Sequence, residues 1–441
     1  MRIIIKDKKR FINMFNQLYK NINIDKINGI SIDSRKIKQN DIFIPIKGQN
    51  FNGHNFINEV YSKSAVCFSE KNNLKKKIIK CDSTLNQIYK ISSKWKELSN
   101  AKTIAITGSN GKTTTKDLLF HIIKEQYKCT KSDCNYNSTI GLPLSFLSTM
   151  LSDDFSILEL GANKPNEIKF LCNIVKPQVS LITNISNAHI ENFKSINELI
   201  QNKFEIYNAL PKKGIAFVNL DCKNIDIKKI KAKKITFSFK MDADFKGIIS
   251  DEKKCNSIII NNCEIIIPKK LTHLPELILS TYAICNYLGI SNQKYQKYLD
   301  TFCLPDGRGE KIYYNNATII NDSYNSNPSS IKLGISRFKN LNKVKDTRKI
   351  VVIGDMLELG SDSINEHIKV GKLINETDID IAITFGQFSI NAHHEIKSTI
   401  QKKHFYKHGE LKKYFNSIIN KGDQIYIKGS RSMQLDRIFK S

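Results

Sequence analysis

Short apolar runs separated by polar stretches of helical length recur along most of this chain. In the first hundred residues the clearest are Ile30-Ser31-Ile32-Asp33-Ser34-Arg35 and Asp41-Ile42-Phe43-Ile44-Pro45-Ile46, both closed by polar turns. From Lys102 the pattern becomes strand then helix. Thr103-Ile104-Ala105-Ile106 precedes a helical stretch opening near Lys112, and Phe155-Ser156-Ile157-Leu158-Glu159, Val179-Ser180-Leu181-Ile182-Thr183 and Ile215-Ala216-Phe217-Val218 follow. Apolar runs of this length between helical segments predict a parallel sheet covered on both faces, the mark of an α/β domain. The segment from Ser257 to Ile267 alternates about Asn261-Asn262 and predicts a hairpin. Beyond Pro305-Asp306-Gly307-Arg308 a further unit carries strands at Lys349–Ile353, Ile379–Ile383 and Gln424–Ile427, with helical periodicity from Ser363 to Asn375, which predicts a doubly wound sheet.

The 441 residues suggest roughly three domains at about 150 residues each. The breaks in pattern place them at 1–99, 100–304 and 305–441. The reading is a small α/β N-terminal domain, a central P-loop-type parallel-sheet ATPase domain and a C-terminal Rossmann-like domain. With 40% hydrophobic and 25% charged residues the composition is that of a soluble globular protein. No apolar run is long enough to cross a membrane, and the apolar start Ile3-Ile4-Ile5 is too short for a signal peptide, so no membrane insertion and a cytoplasmic location are expected. A monomer is expected.

The formal charge of +27 changes this picture little. Lysine is spread through every segment, with one dense cluster at Lys75-Lys76-Lys77 and no aromatic-interleaved basic motif. The excess reads as composition and not as a nucleic-acid surface, although phosphorylated substrates would gain from it. The ten cysteines have no C-x-x-C pair and no zinc spacing with histidine, which fits buried thiols in a reducing compartment.

Chemistry enters at Thr107-Gly108-Ser109-Asn110-Gly111-Lys112-Thr113-Thr114, which leaves a strand and opens a helix. Glycines there let backbone N–H groups approach phosphate oxygens, the helix N-terminus adds positive potential, and Lys112 neutralises the outer phosphates. Thr113 supplies a hydroxyl for Mg²⁺. The general G-x-x-x-x-G-K-T loop needs glycine at 106, where this chain has Ile106. That departure separates the loop from signalling or nucleic-acid-dependent NTPases.

The shorter loop resembles that of the Mur ligase and folylpolyglutamate synthase superfamily. Glu159, ending its strand, stands where a carboxylate would reach a metal, and Thr183-Asn184-Ile185-Ser186-Asn187-Ala188-His189 resembles the family's T-N-I…H segment. Asn202-Lys203-Phe204-Glu205-Ile206 resembles its K-x-E-I stretch, whose lysine is carbamylated. Asn321-Asp322-Ser323-Tyr324-Asn325-Ser326-Asn327-Pro328, Gly354-Asp355-Met356-Leu357-Glu358-Leu359-Gly360 and Lys428-Gly429-Ser430-Arg431 resemble the branch of the Mur ligases that adds D-alanyl-D-alanine. So do Asp33-Ser34-Arg35 and Phe51-Asn52-Gly53-His54, and so does Asn135-Tyr136-Asn137-Ser138-Thr139-Ile140-Gly141-Leu142-Pro143. The D-N-P-R of the diaminopimelate-adding ligases and the D-G-A-H-N-P of folylpolyglutamate synthases are missing; another amide ligase of the superfamily is the alternative.

The resemblance implies ATP-dependent ligation of D-Ala-D-Ala to UDP-MurNAc-tripeptide through an acyl phosphate, a step of peptidoglycan precursor synthesis. It implies catalytic roles for Lys112, His189 and Lys203. Two Mg²⁺ ions would be held, one by Thr113 and Glu159, the other by His189 and carbamylated Lys203. Asn184, Arg308 and Asp322 would join the loop in binding ATP, Arg308 against phosphate and Asp322 on the ribose, with Asn325 and Asn327 near the same cleft. Ser34, Arg35, Asn135, Asn137, Ser138 and Thr139 would bind the UDP-sugar, and the third domain would bind the dipeptide and close on ATP. One segment departs from the pattern: where the family has H-N-x-x-N-A, this chain has His273-Leu274-Pro275-Glu276-Leu277-Ile278, so the asparagines associated with nucleotide contact are replaced by leucines.

Overall fold

The computed structural model describes residues 1–441 except 49–50, 73–74, 134–135, 187–189, 223, 251–255, 342–346 and 441. Among the described residues the strands form three sheets. By contact density the chain divides into two compact units, 1–183 with 200–247 and 277–298, and 184–199 with 248–276 and 299–441.

The first unit opens with a five-stranded sheet. Arg2–Ile4 runs antiparallel to Gly29–Ser31, and Asp41–Phe43, Ser64–Ser69 and Ile78–Lys80 follow in parallel. Asp41 is fully buried and survives there because Arg2 clasps it with Nε at 2.6 Å and Nη2 at 2.9 Å. The apolar run at Ile30 is a shorter strand than its composition predicts. Asp33 accepts the backbone N–H of Arg35 and turns the chain into a 3₁₀ segment, Ser34–Lys36. The helix Thr84–Leu98 buries the chain's single tryptophan, whose indole N–H donates to Thr149 O at 3.0 Å, while Ser92 Oγ donates to Pro143 O at 2.8 Å. These bonds fasten the small sheet to the next layer.

That layer is a parallel sheet with the order Phe245–Ile249, Lys233–Ser238, Ile215–Asn219, Val179–Ile182, Lys102–Thr107, Phe155–Glu159, Cys129–Lys131. Apart from Lys102 at the start of its strand, its central strands are buried, as their apolar runs require. Lys102–Thr107 is succeeded on one side by Phe155–Glu159 and on the other by Val179–Ile182. The connections therefore diverge beside its C-terminal end, the place where open α/β sheets bind ligands.

In the second unit the expected hairpin forms: Ser257–Ile260 pairs with Cys263–Ile266, and Asn261 and Asn262 take φ of 46° and 66°, the left-handed pair such a two-residue turn needs. A six-stranded sheet follows in the order Glu310–Tyr314, Ala317–Asn321, Gln424–Lys428, Lys349–Gly354, Ile381–Phe385, Gln401–Phe405, parallel except for the first pair. Apolar clusters cover both faces, one around Leu411 and Phe415, the other around Ile331, Ile335 and Val370. The strand predicted at Ile379 begins at Ile381 instead, because Asp380 turns its side chain to accept the Lys349 N–H. No helix among the described residues is long and apolar enough to cross a membrane.

Candidate active site

The loop after Lys102–Thr107 is built by its own residues. Thr107 is buried and anchors the turn by donating Oγ1 to Leu160 O at 2.8 Å. Gly111 stands at the N-cap of Lys112–Ile123 with φ of 81°, a conformation that other residues adopt only at a cost. Thr183 closes the far side, with Oγ1 donating to Asn110 O at 2.6 Å. Ser109 and Thr114 are buried in the loop and the first helical turn.

Charged and hydroxyl side chains gather around this turn. Thr113 Oγ1 donates to Glu159 Oε2 at 2.7 Å, and Asn137 Nδ2 donates to Glu159 Oε1 at 2.8 Å. Glu159, only 2% exposed, thus has both oxygens engaged at the end of its strand. Lys112 Nζ donates to Gly108 O at 2.7 Å and Ser109 O at 3.2 Å, and Lys203 Nζ reaches the same Gly108 carbonyl at 3.3 Å from the helix Ile196–Asn208. Lys203 is 2% exposed, and burial, helped by the charge of Lys112, lowers its amine to about 7. Hard oxygens beside a phosphate loop suit Mg²⁺, and Thr113 and Glu159 supply them. His189 and Asn135 lie outside the described residues.

Asn202, next to Lys203 and 5% exposed, has no hydrogen-bond partner for either amide atom among the described residues. Asn137, expected to bind the UDP-sugar, lies beside Glu159, its backbone oxygen accepting from Gly161 N at 2.9 Å.

Elsewhere in this unit Ser34 is buried, while the Arg35 side chain is 86% exposed and held flat by Asp33, Nε and Nη2 donating at 2.9 Å and 3.0 Å. Ser138 Oγ accepts from Gly141 N at 3.1 Å, and Thr139 is half-buried.

The second unit holds the remaining predicted residues. Asn184 is half-buried at the start of the segment 184–199. The Arg308 guanidinium lies 4.1 Å from the ring centre of Tyr324. Asp322 accepts from Lys428 Nζ at 2.6 Å and Tyr426 Oη at 2.9 Å. Asn325 is exposed and accepts from Ser326 N. Asn327 caps the helix Pro328–Lys339, its Oδ1 accepting from Ser330 N at 2.9 Å while Ser330 Oγ accepts the return bond.

Families described as Mur ligase family, catalytic domain, as Mur ligase middle domain and as Mur ligase, glutamate ligase domain match residues 26–107, 106–288 and 307–431. The chain is 34% identical to the UDP-N-acetylmuramoyl-tripeptide–D-alanyl-D-alanine ligase of Buchnera aphidicola subsp. Baizongia pistaciae (strain Bp), over 95% of this chain and 93% of that one. It is 32% identical to the ligase of the same name from Rickettsia prowazekii (strain Madrid E), over 93% and 94%. A crystal structure of MurF from Acinetobacter baumannii superposes with a TM-score of 0.85 at 25% identity, covering 97% of each chain. These matches span all three sheets, and the chain belongs to the Mur ligase family.

Proposed function

We propose that this chain joins D-alanyl-D-alanine to UDP-MurNAc-tripeptide at the expense of ATP, giving the pentapeptide precursor of peptidoglycan, ADP and phosphate. The observation that carries this reading is the gathering of Lys112, Thr113, Glu159 and Lys203 about one glycine-rich turn, in a chain whose relatives over nine-tenths of their length are ligases of that name. Residues 1–99 are assigned to the UDP-sugar, 100–304 to ATP and 305–441 to the dipeptide.

The tripeptide carboxylate attacks the γ-phosphorus of ATP and ADP leaves. The dipeptide amine then attacks the acyl carbon, loses a proton and expels phosphate. The first step brings two anions together, so positive charge must be in place beforehand. Lys112 supplies part of it from the loop. Thr113, Glu159, His189 and Lys203 would hold Mg²⁺, which when bound supplies the rest. Lys203 enters this set as a carbamate: its buried amine, lowered to about 7, is about half neutral near that pH, and the neutral form can add CO₂ and release a proton, replacing a cation by an oxygen anion. Arg308 meets phosphate, and Asp322 the ribose hydroxyls.

Phosphate release measured with UDP-MurNAc-tripeptide, with and without D-Ala-D-Ala, tests the reading. Release is expected only with both, matched by pentapeptide in the mass spectrum. Release that ignores the dipeptide, or that nucleic acid stimulates instead, would overturn it. Confinement to the cytoplasm and a monomeric state belong to the same proposal.

A further inference from the structure

Asp322 follows the strand Ala317–Asn321, at the C-terminal edge of the six-stranded sheet. Its backbone N–H donates to Ile427 O at 2.9 Å, which sets it beside the end of the neighbouring strand Gln424–Lys428. Two residues apart on that strand, Tyr426 and Lys428 share a face. Both are directed at one atom: Asp322 Oδ2 accepts from Tyr426 Oη at 2.9 Å and from Lys428 Nζ at 2.6 Å. Lys428 spends its remaining donors on Asn325 O at 3.1 Å and Asp322 O at 3.5 Å, and so grips the loop as well as the carboxylate.

The donors are fixed in their turn. Lys428 is 2% exposed and Tyr426 is buried against Phe338, with ring centres 5.8 Å apart. Across the sheet, the helix Pro328–Lys339 passes over Tyr426 at Gly334, where a Cβ would lie 1.8 Å from the tyrosine hydroxyl oxygen. Alanine at 334 would require Tyr426 to move. Asp322 Oδ1 accepts no hydrogen bond among the described residues, and the carboxylate keeps 28% of its surface.

We propose that Tyr426 and Lys428, with Gly334 making room for the tyrosine, are positioning residues: they hold Asp322 Oδ2 and present Oδ1 to the ribose hydroxyls of the nucleotide. The inference rests on the reading of Asp322 as the ribose contact. A carboxylate turning freely would lose rotamer entropy on binding, whereas one clamped through a single oxygen has lost it already.

ADP affinity by calorimetry and the KM values for ATP and dipeptide, in the full chain, test the clamp. Tyr426→Phe keeps the ring packing and removes only the hydroxyl. It is expected to weaken ADP binding and raise KM for ATP about fivefold or more, with KM for D-Ala-D-Ala within twofold. Gly334→Ala and Lys428→Met should shift the same two quantities in the same direction. Asp322→Asn separates the two levels of the argument. If it leaves ADP affinity unchanged, the ribose reading has failed. If it weakens ADP while Tyr426→Phe, folded by circular dichroism, binds ADP as tightly as the parent, the clamp has failed. A Tyr426→Phe that raises both KM values equally marks a merely structural hydroxyl and also overturns the proposal.

Discussion

Thr113 and Glu159 meet in a 2.7 Å hydrogen bond across a sequence separation of 46 residues. One opens the helix after the phosphate loop and the other ends the adjacent strand, so the register of two parallel strands determines whether they touch. Asn137 completes the arrangement from the opposite oxygen of the carboxylate. A residue that orients a metal-binding carboxylate in this way usually accounts for tenfold or more in metal affinity. Asn137→Ala is therefore expected to raise the Mg²⁺ concentration for half-maximal activity by roughly tenfold. A change confined to the KM for UDP-MurNAc-tripeptide would return Asn137 to the sugar.

Lys112→Ala should remove ligation and leave the fold intact. The lysine folds over carbonyls of its own loop, while the turn is held by Thr107 and Thr183. Loss of one preorganised charge at the reacting phosphate costs roughly 3 kcal/mol, or about a hundredfold in rate. Turnover within threefold of the parent, at an unchanged melting temperature, would falsify the phosphate role.

How much of this was legible beforehand differs by residue. The strand at Thr103–Ile106 and the loop after it were, because burial on both faces demands an apolar run and a phosphate turn demands glycine at fixed offsets. The Asn261-Asn262 hairpin was, since the turn geometry is local. The burial of Lys203 was not: in a chain with 69 Lys and Arg residues, only its distance from Gly108 distinguishes it. That the side chain of Asn327, expected near the ATP cleft, also caps a helix was not legible either. The strands Lys233–Ser238 and Phe245–Ile249 were missed because lysines interrupt the apolar pattern.

At the other end of the first unit, Asp33 holds Arg35 through Nε and Nη2, so the exposed guanidinium is oriented before any ligand arrives. A planar fork suits a pyrophosphate. Arg35→Ala is expected to raise KM for UDP-MurNAc-tripeptide about tenfold with KM for ATP unchanged, in steady-state kinetics varying each substrate in turn. The opposite split would mean that residues 1–99 are misassigned.

Acid should destabilise the fold through the half-buried His273 and the buried His367. Burial, with Arg337 nearby, holds His273 down at about 4, against roughly 6.5 in an unfolded chain. Between those values the unfolded state binds a proton that the folded state does not, so stability falls as pH drops from 6.5 towards 4. His367 adds to this: burial lowers it, and its Nε2 accepts from Met356 N at 3.0 Å, a bond that protonation would break. Roughly 2 kcal/mol should disappear between pH 7 and 5 on account of His273 alone. Calorimetric melting of the parent and of His273→Leu over that range measures it, and the variant should show the flatter profile. Parallel profiles would remove His273 from the account.

Lys203 gives the most demanding test, because its chemistry and its burial make separate predictions. An ammonium 2% exposed, with Lys112 as its electrostatic neighbour, is a poor companion for metal ions and phosphates. A carbamate removes the positive charge, adds a negative one and lengthens the side chain. Lys203→Ala should thus lose most activity while still folding, since the alanine leaves a space that water or small ions can enter. Acetate or formate should restore part of the rate by placing an anion there. Lys203→Arg should resist rescue, because the guanidinium keeps its charge and fills the space. Bicarbonate supplies the reading that activity alone cannot: it should raise the melting temperature of the parent, whose buried amine it carbamylates, and leave that of Lys203→Ala unmoved. If the alanine variant turns over normally, or if bicarbonate shifts both proteins alike, Lys203 is an ordinary buried lysine bonded to Gly108.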